Sequence, residues 1–366
     1  MRKKEGELSI VTGNAFLYYC YDVGTGFDID GAEKALGGDA ERISLGVERL
    51  APTYIQYRKR PLLVRLGHIS VNHGMNLEGV AKIYDFGVIT IRLRMPLHGA
   101  FAGLKQTCLS INGSTALQDA AQHAFRALYD RVKQFTHDPY MHDDVFEDYV
   151  ITHVEHFDKH ISGAELMTHH ARTIADALRC EKNELSQMEL NESLKNPLSY
   201  FADDLAVVDS GAAFIYSPRH AYDVHDVIEY ALIELLELRH YDGVLDDALE
   251  QAHADVHGTT LSLNPFSRPH RELAKVRLEV TNVVEKVENA LKLIGDMYLA
   301  KVYTVAAERF GLQRWKESVR SKLATVQSVY EVLINRINGR RLMILEIVIA
   351  ISSVIFIIEF FLNYSR

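Results

Sequence analysis

The chain closes on RRLMILEIVIAISSVIFIIEFFLNYSR, and residues 342–362 of it form an apolar run without a single Gly or Pro. As an α-helix those residues rise about 31 Å, the hydrocarbon thickness of a bilayer. A helix at the edge of a soluble core keeps a polar face; this run has none. It reads as a single membrane-spanning tail anchor. Arg336, Arg340 and Arg341 precede it and only Arg366 follows. Basic residues stay on the cytoplasmic side, so the N-terminal bulk is expected in the cytoplasm.

Charge divides the rest of the chain. Residues 1–270 hold 25 Lys and Arg against 39 Asp and Glu, whereas residues 309–341 hold 8 against 2. An acidic head is a poor partner for nucleic-acid phosphates, so no specific DNA binding is expected. A basic segment running into an apolar helix suits anionic lipid headgroups. The three cysteines, Cys20, Cys108 and Cys180, form no CxxC pair. That spacing points to a reducing compartment and away from a disulfide framework or a thiolate zinc site. The N-terminal MRKKEGELSIVTG has no apolar h-region and is no secretory signal, and its mixed charges fit a mitochondrial presequence poorly.

From residue 271 the pattern turns regular. Leu273, Val276, Val280, Val283, Val287 and Ile294 share a heptad-like seam, and Val319, Leu323, Val326, Tyr330, Leu333 and Ile337 repeat it up to the anchor. Between the two runs Gly311 marks a break or helix C-cap. The seams predict a coiled-coil stalk over 271–341. It is either an antiparallel hairpin closed by one chain or an oligomeric stalk shared with further copies of the protein.

Residues 1–256 read as an acidic α+β head, joined to the stalk by a Gly-, Ser- and Pro-bearing linker at 257–270. AFLYYCYDV (15–23) predicts a strand, VAKIYDFGVITIRL (80–93) one or two strands around Gly87, and FEDYVITHVEHFDKH (146–160) another. Leu117, Ala121, Phe125, Leu128 and Val132 share one face of a helix over 115–135. Residues 164–180 predict a helix, 205–218 a strand or a hairpin through Gly211, and 226–252 a long helix. On that helix Glu234, Glu237, Arg239, Asp242 and Asp246 are spaced as exposed i, i+3/i+4 pairs.

No fragment of the head amounts to an enzyme signature. GTG at 24–26 lacks the third glycine of a dinucleotide fingerprint, and Asp85-Phe86-Gly87 has neither the glycine-rich loop nor the catalytic loop of a kinase around it. His137, His142, His153, His156, His160, His169 and His170 are crowded in sequence. On a strand, however, His153 and His156 face opposite ways, and adjacent His169 and His170 do not converge on one ion. No catalytic, cofactor-binding or metal-ligating set is therefore assigned, and no cofactor is expected. A membrane-tethered enzyme with a His and carboxylate site in the head is the competing reading.

The order of the parts is informative. ELLELRHYDGVLDDALE ends the head, GDMYLAKVYTVAAERFGLQRWKESVRSKLATVQSVYEVL follows in the helical region, and Arg341, Leu345 and Glu346 lead into the apolar run. Together these resemble the required-for-meiotic-nuclear-division family, from about residue 75 onward. The resemblance implies an inner-membrane protein without established chemistry, whose mitochondrial members support organellar translation by tethering or organising ribosomes. With no transit peptide, it implies a bacterial-type member in the plasma membrane. The expected partners are membrane lipid, other copies of the chain and a ribosome-associated protein. Glu346 and Glu359 lie near the two ends of the span, where a carboxylate costs less than at the bilayer centre. They are either tolerated interfacial groups or, for Glu346, the partner of an Arg such as Arg341 on a neighbouring copy.

Overall fold

The computed structural model describes residues 8–42, 60–71, 75–140, 146–219, 221–257, 276–282, 285 and 294–364. Its first strand explains much of the rest. In β1 (Ser9–Asp22), Ala15, Leu17, Tyr19 and Tyr21 point to one face, and Phe16, Tyr18 and Cys20 to the other. Both rows are buried. A strand apolar on both sides must lie inside a sheet that is covered on both faces.

The chain continues through β2 (Gly26–Phe27), α1 (Ile29–Leu36), β3 (Ala40–Arg42), β4 (Leu62–Val71), β5 (Met75–Ile83) and β6 (Val88–Ala100). Next come α2 (Leu104–Ile111), α3 (Thr115–Val132), β7 (Thr136–His137), β8 (Phe146–Phe157), α4 (Gly163–His169), α5 (Ala171–Arg179) and α6 (Gln187–Ser193). The hairpin of β9 (Leu205–Val208) and β10 (Ala212–Tyr216) precedes α7 (Tyr222–His257), α8 (Met297–Phe310) and α9 (Leu312–Tyr364). Eight strands form one sheet in the order β3-β4-β5-β6-β1-β8-β10-β9, and β2 pairs with β7 separately. Within the large sheet only β8 and β10 run parallel. This is the mixed α+β class that the sequence predicts.

Two compact units emerge, Met1–His240 with Val283–Trp315, and Tyr241–Asn282 with Lys316–Arg366. In the first, the Ala15 row of the sheet is covered by α3, whose Leu117, Ala121, Phe125, Leu128 and Val132 are all buried as the spacing predicts. Tyr21 stacks on Phe125 with ring centroids 4.0 Å apart. α8 belongs to this unit although its sequence falls in the predicted stalk. It packs on β9, Tyr303 donates to Glu234 at 2.6 Å, and Arg309 donates to the carbonyls of Glu192 and Lys195. Its buried face, Leu299, Val302, Tyr303, Ala306 and Phe310, is spaced for a helix but serves the sheet. The predicted helix over 164–180 is broken at His170 (φ −126°, ψ 15°), whose ring lies edge-on to Phe101 at 5.5 Å. That contact is tertiary and leaves no periodicity in the sequence.

In the second unit Lys322 Nζ lies 2.7 Å from both Asp242 Oδ2 and Asp246 Oδ2, and Ser318 donates to Asp242. These contacts join the second half of α7 to α9. Of the predicted seam, Val280, Val319, Val326 and Tyr330 are buried here, while Val276 and Leu323 are half-buried. Ile294 is buried in the first unit. Leu333 and Ile337 continue α9. Leu273, Val283, Val287 and residues 258–270 of the predicted 257–270 linker lie outside the described residues, and His257 ends α7. Gly311 adopts φ +66° and caps α8, its N–H reaching the carbonyls of Ala307 and Glu308.

Two short glycine stretches, GTG and DFG, turn out to meet each other. Val23 N donates to Gly87 O and Phe27 N to Asp85 O, both at 2.9 Å. Gly87 has φ +97°, and a Cβ there would sit 1.7 Å from the Gly24 carbonyl oxygen. Both glycines are therefore needed for backbone approach rather than for a phosphate. Gly87→Ala is expected to destabilise the fold by about 3 kcal/mol or more. Gly113→Ala, at φ +69° with nothing within 4 Å of its Cβ, should cost only about 1 kcal/mol. Urea midpoints of the full-length protein in detergent check the contrast.

Candidate functional site

The second face of the sheet carries the chain's unusual chemistry. Strand alternation and register bring Phe16, Tyr18 and Cys20 of β1 beside Arg92 and Thr90 of β6, Lys82 of β5 and His153 of β8. α7 lies over them, and from residue 227 to 238 every position of that helix is buried. Its Asp226, Glu229, Glu234 and Glu237 are thus enclosed or nearly so. This corrects the sequence-based expectation for Glu234 and Glu237: they are 0% and 5% exposed, not surface pairs. A helix covered on several sides has no solvent face to give them, and only tertiary packing decides that. Asp242 and Asp246 do form pairs, with Lys322 as described above, and Arg239 pairs with Glu147 at 2.5 Å.

Lys82 is the centre of the charged part. Its Nζ donates to Asp226 Oδ1 at 2.8 Å and Glu229 Oε2 at 2.5 Å, while Thr90 donates to Glu229 Oε1 at 2.5 Å. Burial alone would lower the lysine's pKa; the two carboxylates outweigh it and hold the ammonium above its ordinary value. Arg92 lies 5.4 Å from the Phe16 ring centroid and 5.9 Å from that of Tyr222.

A hydrogen-bonded series runs across the sheet beside Arg92. Tyr18 Oη lies 3.2 Å from His225 Nδ1, and His225 Nε2 lies 3.1 Å from His153 Nδ1. The ring tautomers set which atom donates in each contact. Burial, then the neighbouring His153, Arg92 and Lys82, holds His225 well below the ordinary imidazole value, so it is neutral. Burial raises the Tyr18 phenol. Tyr18, His153, His225 and Glu229 are at most 2% exposed. Such groups position one another and are closed to a solute.

The crowded histidines do not converge. His153 is inside this seam and His156 is exposed on the opposite side of β8, as alternation predicts. His142 lies outside the described residues. His225 is the partner that sequence reasoning missed, 72 residues from His153. Among the described residues no group of three or more His, Cys, Asp or Glu is arranged to hold a metal ion.

An open cleft of about 180 Å³ lies elsewhere in the same unit, lined by Tyr200, Phe201, Asp204, Arg219, Asp223 and Tyr298 among others. Tyr200 is 61% exposed and meets Tyr298 edge-on at 5.4 Å. Arg219 is held by both Asp203 oxygens and lies 4.2 Å over the Phe201 ring. Burial, with Asp204, Asp223 and Asp296, raises the Tyr298 phenol.

The predicted anchor residues lie on α9. Residues Leu342–Glu359 have a mean hydropathy of 2.5 and none is buried, so this is one helix long and apolar enough to cross a membrane. Ser352 and Ser353 donate back to the carbonyls of Val348 and Ile349 at 2.8 Å, which leaves no hydroxyl in need of water. Glu346 and Glu359 are exposed near its two ends. Arg340 and Arg341 precede it on the same helix.

Comparison with known proteins places the similarity in the sheet. The family described as "Uncharacterized protein MJ0711, N-terminal domain" matches residues 12–223, from β1 to the start of α7. Uncharacterized protein MJ0711 of Methanocaldococcus jannaschii is 27% identical over 154 residues, covering 42% of this chain and 48% of that protein. The match therefore spans about half the length of the archaeal relative.

Lys82→Met leaves two buried carboxylates without their cation and is expected to cost about 3–5 kcal/mol, with Glu229→Met added to it recovering a large part. Chemical unfolding of the full-length variants checks this. His225 gives a pH signature. Below about pH 6.5 the unfolded imidazole binds a proton that the buried one refuses, so stability falls with acid by up to about 1.4 kcal/mol per pH unit. Above that pH the contribution is complete. His225→Asn should flatten the difference between unfolding curves at pH 7.5 and 5.5.

Proposed function

The chain belongs to the family of the MJ0711 N-terminal domain, and from that premise we propose that it is a membrane-anchored scaffold recruiting a protein partner through its α+β unit. The observation that carries the reading is the helix Leu342–Glu359, apolar on every side and wholly exposed. In water such a helix leaves a large apolar surface uncovered; in a bilayer that surface is solvated by lipid. Arg340 and Arg341 before the span favour a cytoplasmic sheet unit at an inner membrane.

His153 meets His225 under α7 and Glu229 pairs with Lys82 there; all four are buried and serve the packing of the unit. The open aromatic cleft suits recruitment better. Tyr200, Phe201 and Tyr298 beside Asp223 and Asp296 offer ring faces and negative charge to a basic segment of a partner. Arg219 over Phe201 already shows the contact type. The resemblance to the required-for-meiotic-nuclear-division family favours a ribosome- or translation-associated partner, and self-association through the helical segments is part of the same proposal.

Truncation before Leu342 is expected to move the protein from the carbonate-resistant membrane pellet to the supernatant. Affinity capture from gently solubilised membranes should recover translation-related proteins with the intact chain, and Tyr200→Ala, at an exposed site, should reduce that recovery severalfold. Recovery of the intact protein alone would count against the recruiting role.

A further inference from the structure

The open cleft is lined by the β9–β10 hairpin and by the first turns of α7 and α8. Its volume of about 180 Å³ is below the roughly 300–1,000 Å³ of a pocket for a drug-sized ligand. It has room for one side chain and not for a helix or a strand. Three of its rings stand at steep angles to one another. Tyr200 meets Phe201 at 80° and Tyr298 at 65°, with centroids 4.7 Å and 5.4 Å apart. Rings set this way present their faces to the cleft from more than one side, which is how aromatic groups hold a cation.

One ring already has its cation. Arg219 lies 4.2 Å over Phe201 while its two terminal nitrogens hold both oxygens of Asp203. Among the described residues no cation lies over Tyr200 or Tyr298. The carboxylates differ in what they can still accept. Asp204 uses both oxygens on the N–H groups of Tyr200 and Phe201. Asp296 caps α8 through Oδ1 alone, which accepts from the N–H groups of Tyr298 and Leu299. Among the described residues no donor meets Asp296 Oδ2 and no cation pairs with it. Beyond the effect of burial, Asp204, Asp223 and Asp296 all raise the Tyr298 phenol, which marks a negative potential at that ring.

We propose that the cleft takes a single arginine side chain of a protein partner, its guanidinium lying against Tyr200 and Tyr298 and donating to Asp296 Oδ2. This assignment rests on the recruiting role proposed above and names the group that the partner supplies. A guanidinium suits the cleft better than an ammonium. It is planar and weakly hydrated, so it covers a ring face and leaves water more readily, and its N–H groups stay free to donate at the edge. A lysine brings a compact, strongly hydrated charge that covers no ring face. A quaternary ammonium has no N–H and would leave Asp296 Oδ2 without a donor. Phe201, Arg219 and Asp203 show the same combination of ring, guanidinium and carboxylate within the chain. The incoming arginine repeats it one ring along.

The test titrates acetyl-Gly-Arg-Gly-amide into the full-length protein in an uncharged detergent and follows the heat of binding. The lysine and citrulline peptides serve as comparisons, since citrulline keeps the planar shape and loses the charge. The arginine peptide is expected to saturate the protein below about 10 mM and to bind at least about tenfold more tightly than either comparison. Asp296→Asn keeps the helix cap, because Asn caps as well as Asp, and should weaken arginine binding about fivefold or more. Tyr200→Ala, at an exposed site, should weaken it severalfold. No saturation by the arginine peptide, equal binding of the lysine or citrulline peptide, or an affinity unchanged in Asp296→Asn would each overturn the assignment. The wild-type comparison of the three peptides decides it even if a variant folds poorly. The two readings fail separately. A partner captured from membranes without arginine-peptide binding removes only the arginine site, whereas peptide binding without a captured partner counts only against the recruiting role.

Discussion

Lys82, held between Asp226 and Glu229, is the contact on which the main unit depends. Taking a lysine and two carboxylates out of water is costly, and the mutual attraction repays it only when geometry is good and remaining oxygens are satisfied. Here Thr90 supplies the missing bond. The arrangement gives α7 one register on the sheet: a shift by one residue would leave buried charges unpaired. An apolar interface would tolerate such a slip far better.

That register determines what the two faces of the sheet can do. The α7 face is polar at its centre but sealed, so its histidines and carboxylates serve the fold. The other face is packed with the α3 core. The exposed aromatic groups lie at the periphery, in the open cleft.

Several elements were legible because local physics decides them. The strand over 15–23, the extended stretch around Gly87, the apolar face of α3 and the capping Gly311 all follow from composition, helical spacing or backbone freedom. The candidate site was much less legible. Glu234 and Glu237 have the spacing of surface charges, and nothing nearby in sequence indicates that α7 is enclosed. His225 lies outside the histidine-rich stretch in which its partner His153 sits. Met297–Phe310 has the periodicity of a stalk helix yet packs on β9, because periodicity tells that a face is buried and not what buries it.

The sequence by itself determined the mixed α+β class, the charge division and the apolar helix near the C-terminus, since composition and periodicity act within a few turns of chain. Only the tertiary structure decided which charges are internal and that His153 meets His225. That pairing joins residues 72 positions apart. Distances of that kind are set by the order of strands in the sheet and the packing of helices on it, which no local pattern of side chains encodes.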